Sequence, residues 1–177
     1  PWTPAAYRPG CEVEGLRHGR FLGSYMVDHA ALTLYDRERK LGIYWARDAP
    51  ALQACQEAAP LRNVLRWIAM DAGAHIVHAA AVGEGDDGVL ILGAKGAGKS
   101  TTSLAAMLQG QTFVADDFCL LDDLGGVWRA APLTHTARVT DQTLALLPAL
   151  GARITNPDAP PDHKAEITVA DRLAEGV

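Results

Sequence analysis

Short extended runs of apolar residues, broken by turn signals and two amphipathic stretches, set the pattern of this chain. Ala31-Leu32-Thr33-Leu34-Tyr35 and Leu41-Gly42-Ile43-Tyr44-Trp45 are apolar, partly aromatic runs around the charged Asp36-Arg37-Glu38-Arg39-Lys40. They predict a β-hairpin with a five-residue solvated loop. Residues 15–27 supply a further strand or two. Behind Ala59-Pro60, Leu61, Val64, Leu65 and Ile68 share one helical face with Arg62, Asn63 and Arg66 off it, which predicts a helix ending near Gly73. Trp67 reads as core or rim packing.

Residues 75–82, His75-Ile76-Val77-His78-Ala79-Ala80-Ala81-Val82, read as one strand. Gly88-Val89-Leu90-Ile91-Leu92 is a second, behind the turn Gly85-Asp86-Asp87. Residues 102–109 carry Leu104, Ala105, Met107 and Leu108 at helical spacing, closed by Gly110. Thr112-Phe113-Val114-Ala115 then runs into Asp116-Asp117, and Phe118-Cys119-Leu120-Leu121 continues extended. Leu124-Gly125-Gly126 turns into Val127-Trp128-Arg129-Ala130-Ala131, and residues 140–147 form a helix capped by Thr140 and stopped by Pro148. Residues 156–163 are a polar, proline-rich loop. The strands ahead of residue 93 are too closely spaced for an alternating β-α-β order, so the expected fold is α/β with a mixed sheet.

At 177 residues, 49% hydrophobic and 21% charged, the chain is expected to form a single globular domain. Within it, residues 1–55 form a β-rich N-terminal portion. A net charge of −5 without a basic run argues against nucleic acid as a partner. No stretch is apolar for long enough to span a membrane, and no signal peptide is recognisable. Cys11, Cys55 and Cys119 are odd in number and lack C-x-x-C spacing, which suggests reduced thiols in a cytoplasmic protein. The chain opens without methionine and closes on Glu175-Gly176-Val177 with no evident final element, as a trimmed piece of a longer protein would.

One stretch carries explicit chemistry. Gly93-Ala94-Lys95-Gly96-Ala97-Gly98-Lys99-Ser100-Thr101 satisfies the P-loop pattern between a predicted strand and a predicted helix. By average residue usage the bare pattern arises by chance in about one percent of chains this long. In this geometry backbone N–H groups and a helix N-terminus surround a phosphate. Lys99 places a charge at the β- and γ-phosphates, and Ser100 offers a hydroxyl to magnesium.

Phosphoryl transfer also needs a metal ligand and a group that activates the acceptor. Asp116 and Asp117, at the end of an apolar strand, fit a magnesium ligand and a base, provided the backbone turns there so that both face one site. The alternative is a surface Asp-Asp turn. His75 and His78, three apart on one predicted strand, face opposite ways with no cysteine or acid to complete a zinc site. Taken alone, His78 reads as a core histidine.

The order His78-Ala79-Ala80-Ala81-Val82-Gly83, the P-loop, then Val114-Ala115-Asp116-Asp117 resembles the C-terminal domain of HPr kinase/phosphorylase and is similar to the ATP-dependent PEP carboxykinases. Pro60-Leu61-Arg62-Asn63, Trp67, His78 to Gly83 and Asp116-Asp117-Phe118-Cys119 look most like the HPr-kinase-like proteins of lasso-peptide gene clusters. The resemblance implies a mixed-sheet P-loop kinase core over residues 56–177. It also implies ATP and Mg2+ as cofactors and a serine hydroxyl of a peptide or protein, such as a lasso-type precursor, as acceptor. Residues 93–101 would hold the nucleotide, Lys99 would act at the phosphates, and Ser100, Asp116 and Asp117 would serve the metal. The two aspartates would share the roles of base and ligand, with His78 beside them as a catalytic residue polarising phosphate or contacting a second metal. Arg138 and Lys164 stand where such proteins often carry basic residues and otherwise read as surface charges. The glycine- and arginine-rich signature that HPr kinases carry after the aspartate pair is not recognisable, which points away from HPr as acceptor. The resembled kinases are often oligomeric, so a homo-oligomer is open. Two other classes stay in view: a kinase for a small hydroxylated metabolite, and a regulatory module that binds nucleotide and catalyses little.

Overall fold

The structure is a computed structural model and describes residues 13, 15–27, 30–48, 61–158 and 164–169. The chain divides into two compact units, Pro1–Gly73 and Ala74–Val177. Cys11, Cys55 and the Ala59-Pro60 helix start lie outside the described residues, as do parts of the 156–163 loop.

In the first unit, β1 (Phe21–Met26), β2 (Ala31–Asp36) and β3 (Leu41–Ala46) form an antiparallel meander, followed by helix α1 (Arg62–Asp71). The predicted hairpin is present, with its loop shortened to residues 37–40 because Asp36 pairs with Leu41. The charged loop is more than a solvated turn. The Asp36 carboxylate accepts from the backbone N–H groups of Glu38 and Arg39 and from the Arg20 guanidinium, while Arg37 forks onto Asp71 of α1. Leu22, Tyr35 and Val64 make the small core, and Trp67 stacks on Tyr35 with ring centroids 6.4 Å apart. Gly42 lets α1 lie close on the sheet, since any Cβ there would strike the Val64 methyls.

The second unit departs from the expected fold. Its strands are β4 (His75–Val77), β5 (Ala80–Glu84), β6 (Asp87–Ile91), β7 (Thr112–Ala115), β8 (Cys119–Leu124), β9 (Val127–Pro132), β10 (Thr136–Val139) and β11 (Ala165–Thr168). They form three small sheets, ordered β4-β8-β9, β6-β5-β7 and β10-β11, and every pairing is antiparallel. With 42% of the described residues in strands against 24% in helices, the mixed-sheet α/β kinase core of the HPr kinase/PEP carboxykinase type is not what this chain forms. The connections explain it. Gly85-Asp86 and Gly125-Gly126 are two-residue turns, which join antiparallel neighbours; parallel neighbours need a crossover of a dozen or more residues. Among the described residues, two connections between consecutive strands of one sheet are long enough: residues 92–111, through α2 (Lys99–Leu108), join β6 to β7 with β5 between them, and residues 140–164 join β10 to β11, which pair antiparallel.

Helix α2 packs on β5, β7 and β10. Leu104 and Met107 on its inner face meet Phe113, Ala137, Val139, Leu150, Ile167 and Val169 in the main core. Gly110, at φ 100, takes the left-handed conformation just past the helix, as the sequence predicts. Thr140 caps helix α3 (Asp141–Leu146), its hydroxyl accepting from the Thr143 N–H, and a 3₁₀ segment (Pro148–Arg153) follows. No helix among the described residues is long and apolar enough to cross a membrane.

Candidate functional site

Because β5 runs antiparallel to both β6 and β7, those two run parallel, and their C-terminal ends meet the start of β5 at one edge of the sheet. The register is explicit: Ala80 opposes Ile91, and Ala81 opposes Ala115. Three segments therefore converge at that edge: the glycine loop leaving β6, His78-Ala79 ahead of β5, and Asp116-Asp117 leaving β7. The acid-bearing strand β7 is not beside the P-loop strand β6; β5 stands between them.

Residues 92–97 of the loop are exposed. Gly96 and Gly98 have φ of 84° and 87°, a backbone that side chains resist. Gly98 is also the N-cap of α2 and offers no side chain to it, so the first-turn amides have no acceptor within the helix. Lys99 is buried, and its ammonium donates to the carbonyl oxygens of Gly93 at 3.0 Å and Ala94 at 3.3 Å. The loop is thus folded around its own cation. Ser100 is half-buried. The Thr101 hydroxyl lies 3.0 Å from the Thr143 hydroxyl and ties α2 to α3.

The predicted strand over residues 75–82 is broken. It ends at Val77 and resumes at Ala80, passing from the β4-β8-β9 sheet to the β6-β5-β7 sheet. The chain makes the same change between β7 and β8, across Asp116-Asp117-Phe118. The two breaks sit side by side, because Val77 pairs with Cys119 on one flank and Ala81 with Ala115 on the other. His78 is consequently neither a core residue nor on a strand; its side chain is 49% exposed. Its Nε2 lies 3.5 Å from Asp117 Oδ1, and its ring meets Phe118 at 5.7 Å.

The backbone turns at Asp116-Asp117. Asp117 has φ 63, and the Phe118 N–H donates to the Asp116 carbonyl at 2.7 Å, two residues back. A positive-φ γ-turn of this kind is rare and strained, and such strain concentrates at functional sites. It separates the two side chains. Asp117 stays partly exposed beside His78, while Asp116 is 3% exposed. Neither Asp116 carboxylate oxygen has a partner in hydrogen-bond geometry. Burial pushes its pKa up and the Asp117 charge adds to this. The Ser100 side chain and the Asp117 and Arg138 amides lie near enough to pull it back in part.

Among the described residues no three His, Cys, Asp or Glu side chains are grouped to hold a metal ion. Magnesium needs no such cage, since it is held by one or two carboxylates, waters and substrate phosphates. The hard oxygen donors of Ser100 and the unpartnered Asp116 fit it. His75 is exposed on β4 and takes no part. Arg138 on β10 lies 3.6 Å from Glu166, and Lys164 is exposed. The Arg138 amide beside Asp116 is the contribution that sequence reasoning missed, because the residues of the four-residue strand β10 were assigned to no element. Comparison with known protein families, with curated proteins and with solved structures found no match.

Proposed function

We propose that this chain is an ATP-dependent kinase that transfers the γ-phosphate to a serine hydroxyl of a peptide or protein segment. The observation that carries the reading is the buried, unpartnered carboxylate of Asp116, brought to the same sheet edge as the P-loop and the strained Asp117. A structural aspartate would be exposed or hydrogen-bonded, because an unpaired buried charge destabilises the fold.

The loop amides and the first turn of α2 hold the phosphates, and Lys99 exchanges its two carbonyl partners for phosphate oxygens. Ser100 and Asp116 would hold magnesium, which would supply neutralising charge to the bound phosphates. Asp117 takes the proton of the acceptor hydroxyl as the new O–P bond forms and the bond to ADP breaks. His78 orients the Asp117 carboxylate. The motif order resembling HPr-kinase-like proteins supports this assignment of roles; the sheet topology does not contribute to it.

The test follows labelled γ-phosphate from ATP and magnesium to a panel of serine peptides and small hydroxy compounds, with ADP release measured in parallel. Label on a peptide serine supports the proposal. Label on a small compound alone moves the acceptor to a metabolite. Neither signal from a protein that binds ATP would leave a nucleotide-binding module.

A further inference from the structure

Serine and threonine inside a helix usually turn their hydroxyls back onto a carbonyl of the preceding turn. In α2, Ser103 does so, donating to the Ser100 carbonyl at 3.1 Å. Thr101, in the first turn of the same helix, reaches outward instead. Its hydroxyl lies 3.0 Å from that of Thr143, 42 residues along the chain in α3. Thr143 is 6% exposed, and its hydroxyl also lies 3.2 Å from that of Thr140, the cap of α3.

The proton count gives this row of hydroxyls a direction. Thr140 Oγ1 accepts from the Thr143 N–H at 3.3 Å, and Thr140 is exposed, so its own proton is free to go to water. Thr143 has one O–H between two hydroxyl oxygens. With Thr101 donating to Thr143 and Thr143 donating on to Thr140, the buried hydroxyl is satisfied and each bond strengthens the next.

The corner between β10 and α3 meets the candidate site at a second point. Arg138, two residues before the cap, sets its backbone amide beside the Asp116 carboxylate. Val139 between them is buried in the main core with Leu104 and Met107 of α2. Residues 138–143 therefore touch both halves of the site: the Asp116 end of β7, and the turn of α2 that carries Lys99 and Ser100. Those halves arrive on strands that β5 keeps apart, so one short segment braces what the sheet separates.

We infer that Thr143 is a positioning residue: its hydroxyl, holding Thr101 while the same corner meets Asp116, keeps Ser100 and Asp116 in register for magnesium-bound ATP. This rests on the kinase reading for what the site binds, and on the hydroxyl geometry for which residue sets it.

The test titrates ATP with magnesium into the full chain by calorimetry. The parent is compared with Thr143→Val, Thr143→Ser, Thr101→Val and the double valine variant, with thermal unfolding of each nucleotide-free protein alongside. Valine keeps the branched shape and removes the hydroxyl, so Thr143→Val should bind about threefold to tenfold more weakly, the scale of one neutral hydrogen bond. Serine returns the hydroxyl and should return the affinity. Thr101→Val removes the same bond from the helix side, and it carries the test if Thr143→Val does not fold. Because the two threonines act through one bond, the double variant should bind no more weakly than the weaker single variant. A purely structural Thr143 would lower the melting temperature of the valine variant and leave the affinity of the folded protein unchanged. That result, an affinity equally low in the serine variant, or losses that multiply in the double variant would overturn the inference and leave the kinase reading in place. A parent chain that binds no ATP would overturn both.

Discussion

A carboxylate buried without partners should weaken the fold that contains it, and Asp116→Asn turns that expectation into a measurement. Burial raises the Asp116 pKa above the ordinary carboxylate value, so the native state holds this proton at a pH where the unfolded chain has released it. With more protons bound in the native state, stability falls as pH rises from the unfolded pKa through the native one. Above both values the full destabilisation remains. Replacing the carboxylate with an amide leaves a buried polar group but removes the buried charge, so it should stabilise the nucleotide-free protein at neutral pH by about 1–2 kcal/mol, a fraction of the cost of burying an uncompensated charge. For a unit of about a hundred residues this is a rise of roughly 5–10 °C in melting temperature. Thermal unfolding followed by circular dichroism between about pH 4 and pH 8 reads both quantities. The gain should shrink as the pH falls, since protonation neutralises the wild-type side chain. With ATP and magnesium present the order should reverse, because only wild type retains the metal ligand and gains the full ligand stabilisation. An asparagine variant less stable than wild type without nucleotide, or one with the same pH slope, would refute the reasoning.

Asp117→Asn should lower phosphoryl transfer by about 10²–10⁴-fold, the usual contribution of a general base, while an ATP titration changes little. Asp36 should behave oppositely to Asp116. Hydrogen bonds from Arg20 are the main force holding its carboxyl at about 2, so its stabilisation is present above the ordinary carboxylate value and lost as pH falls toward that figure. Urea titrations should show the deficit of Asp36→Asn closing below about pH 4. Gly42→Ala should destabilise the first unit by about 1–3 kcal/mol through collision with the stiff Val64 side chain, read as a lower urea midpoint at unchanged slope.

Local signals in this sequence proved more legible than the partnerships between them. The P-loop flanks, the hairpin between Ala31 and Ala46, the Thr140 cap and the left-handed Gly110 all follow from spacing and turn chemistry within a few residues. The break at His78-Ala79 was invisible because alanines continue the apolar run and carry no turn signal. Which strand pairs with which is set by packing, so the period-two pattern of β4 and β5 could not show that they enter different sheets. The two-residue turns at Gly85-Asp86 and Gly125-Gly126 did announce antiparallel neighbours, and weighing them together argues against the mixed sheet. At the site, the type of Asp116 and Asp117 was legible, while their unequal burial and the γ-turn between them depend on two sheets meeting there.

The most direct test of the account is calorimetric titration of ATP into the protein with and without magnesium, repeated for Lys99→Ala. Binding that requires magnesium and falls at least tenfold in the variant is the predicted result. An ATP affinity indifferent to both the metal and Lys99, or no binding at all, would contradict it.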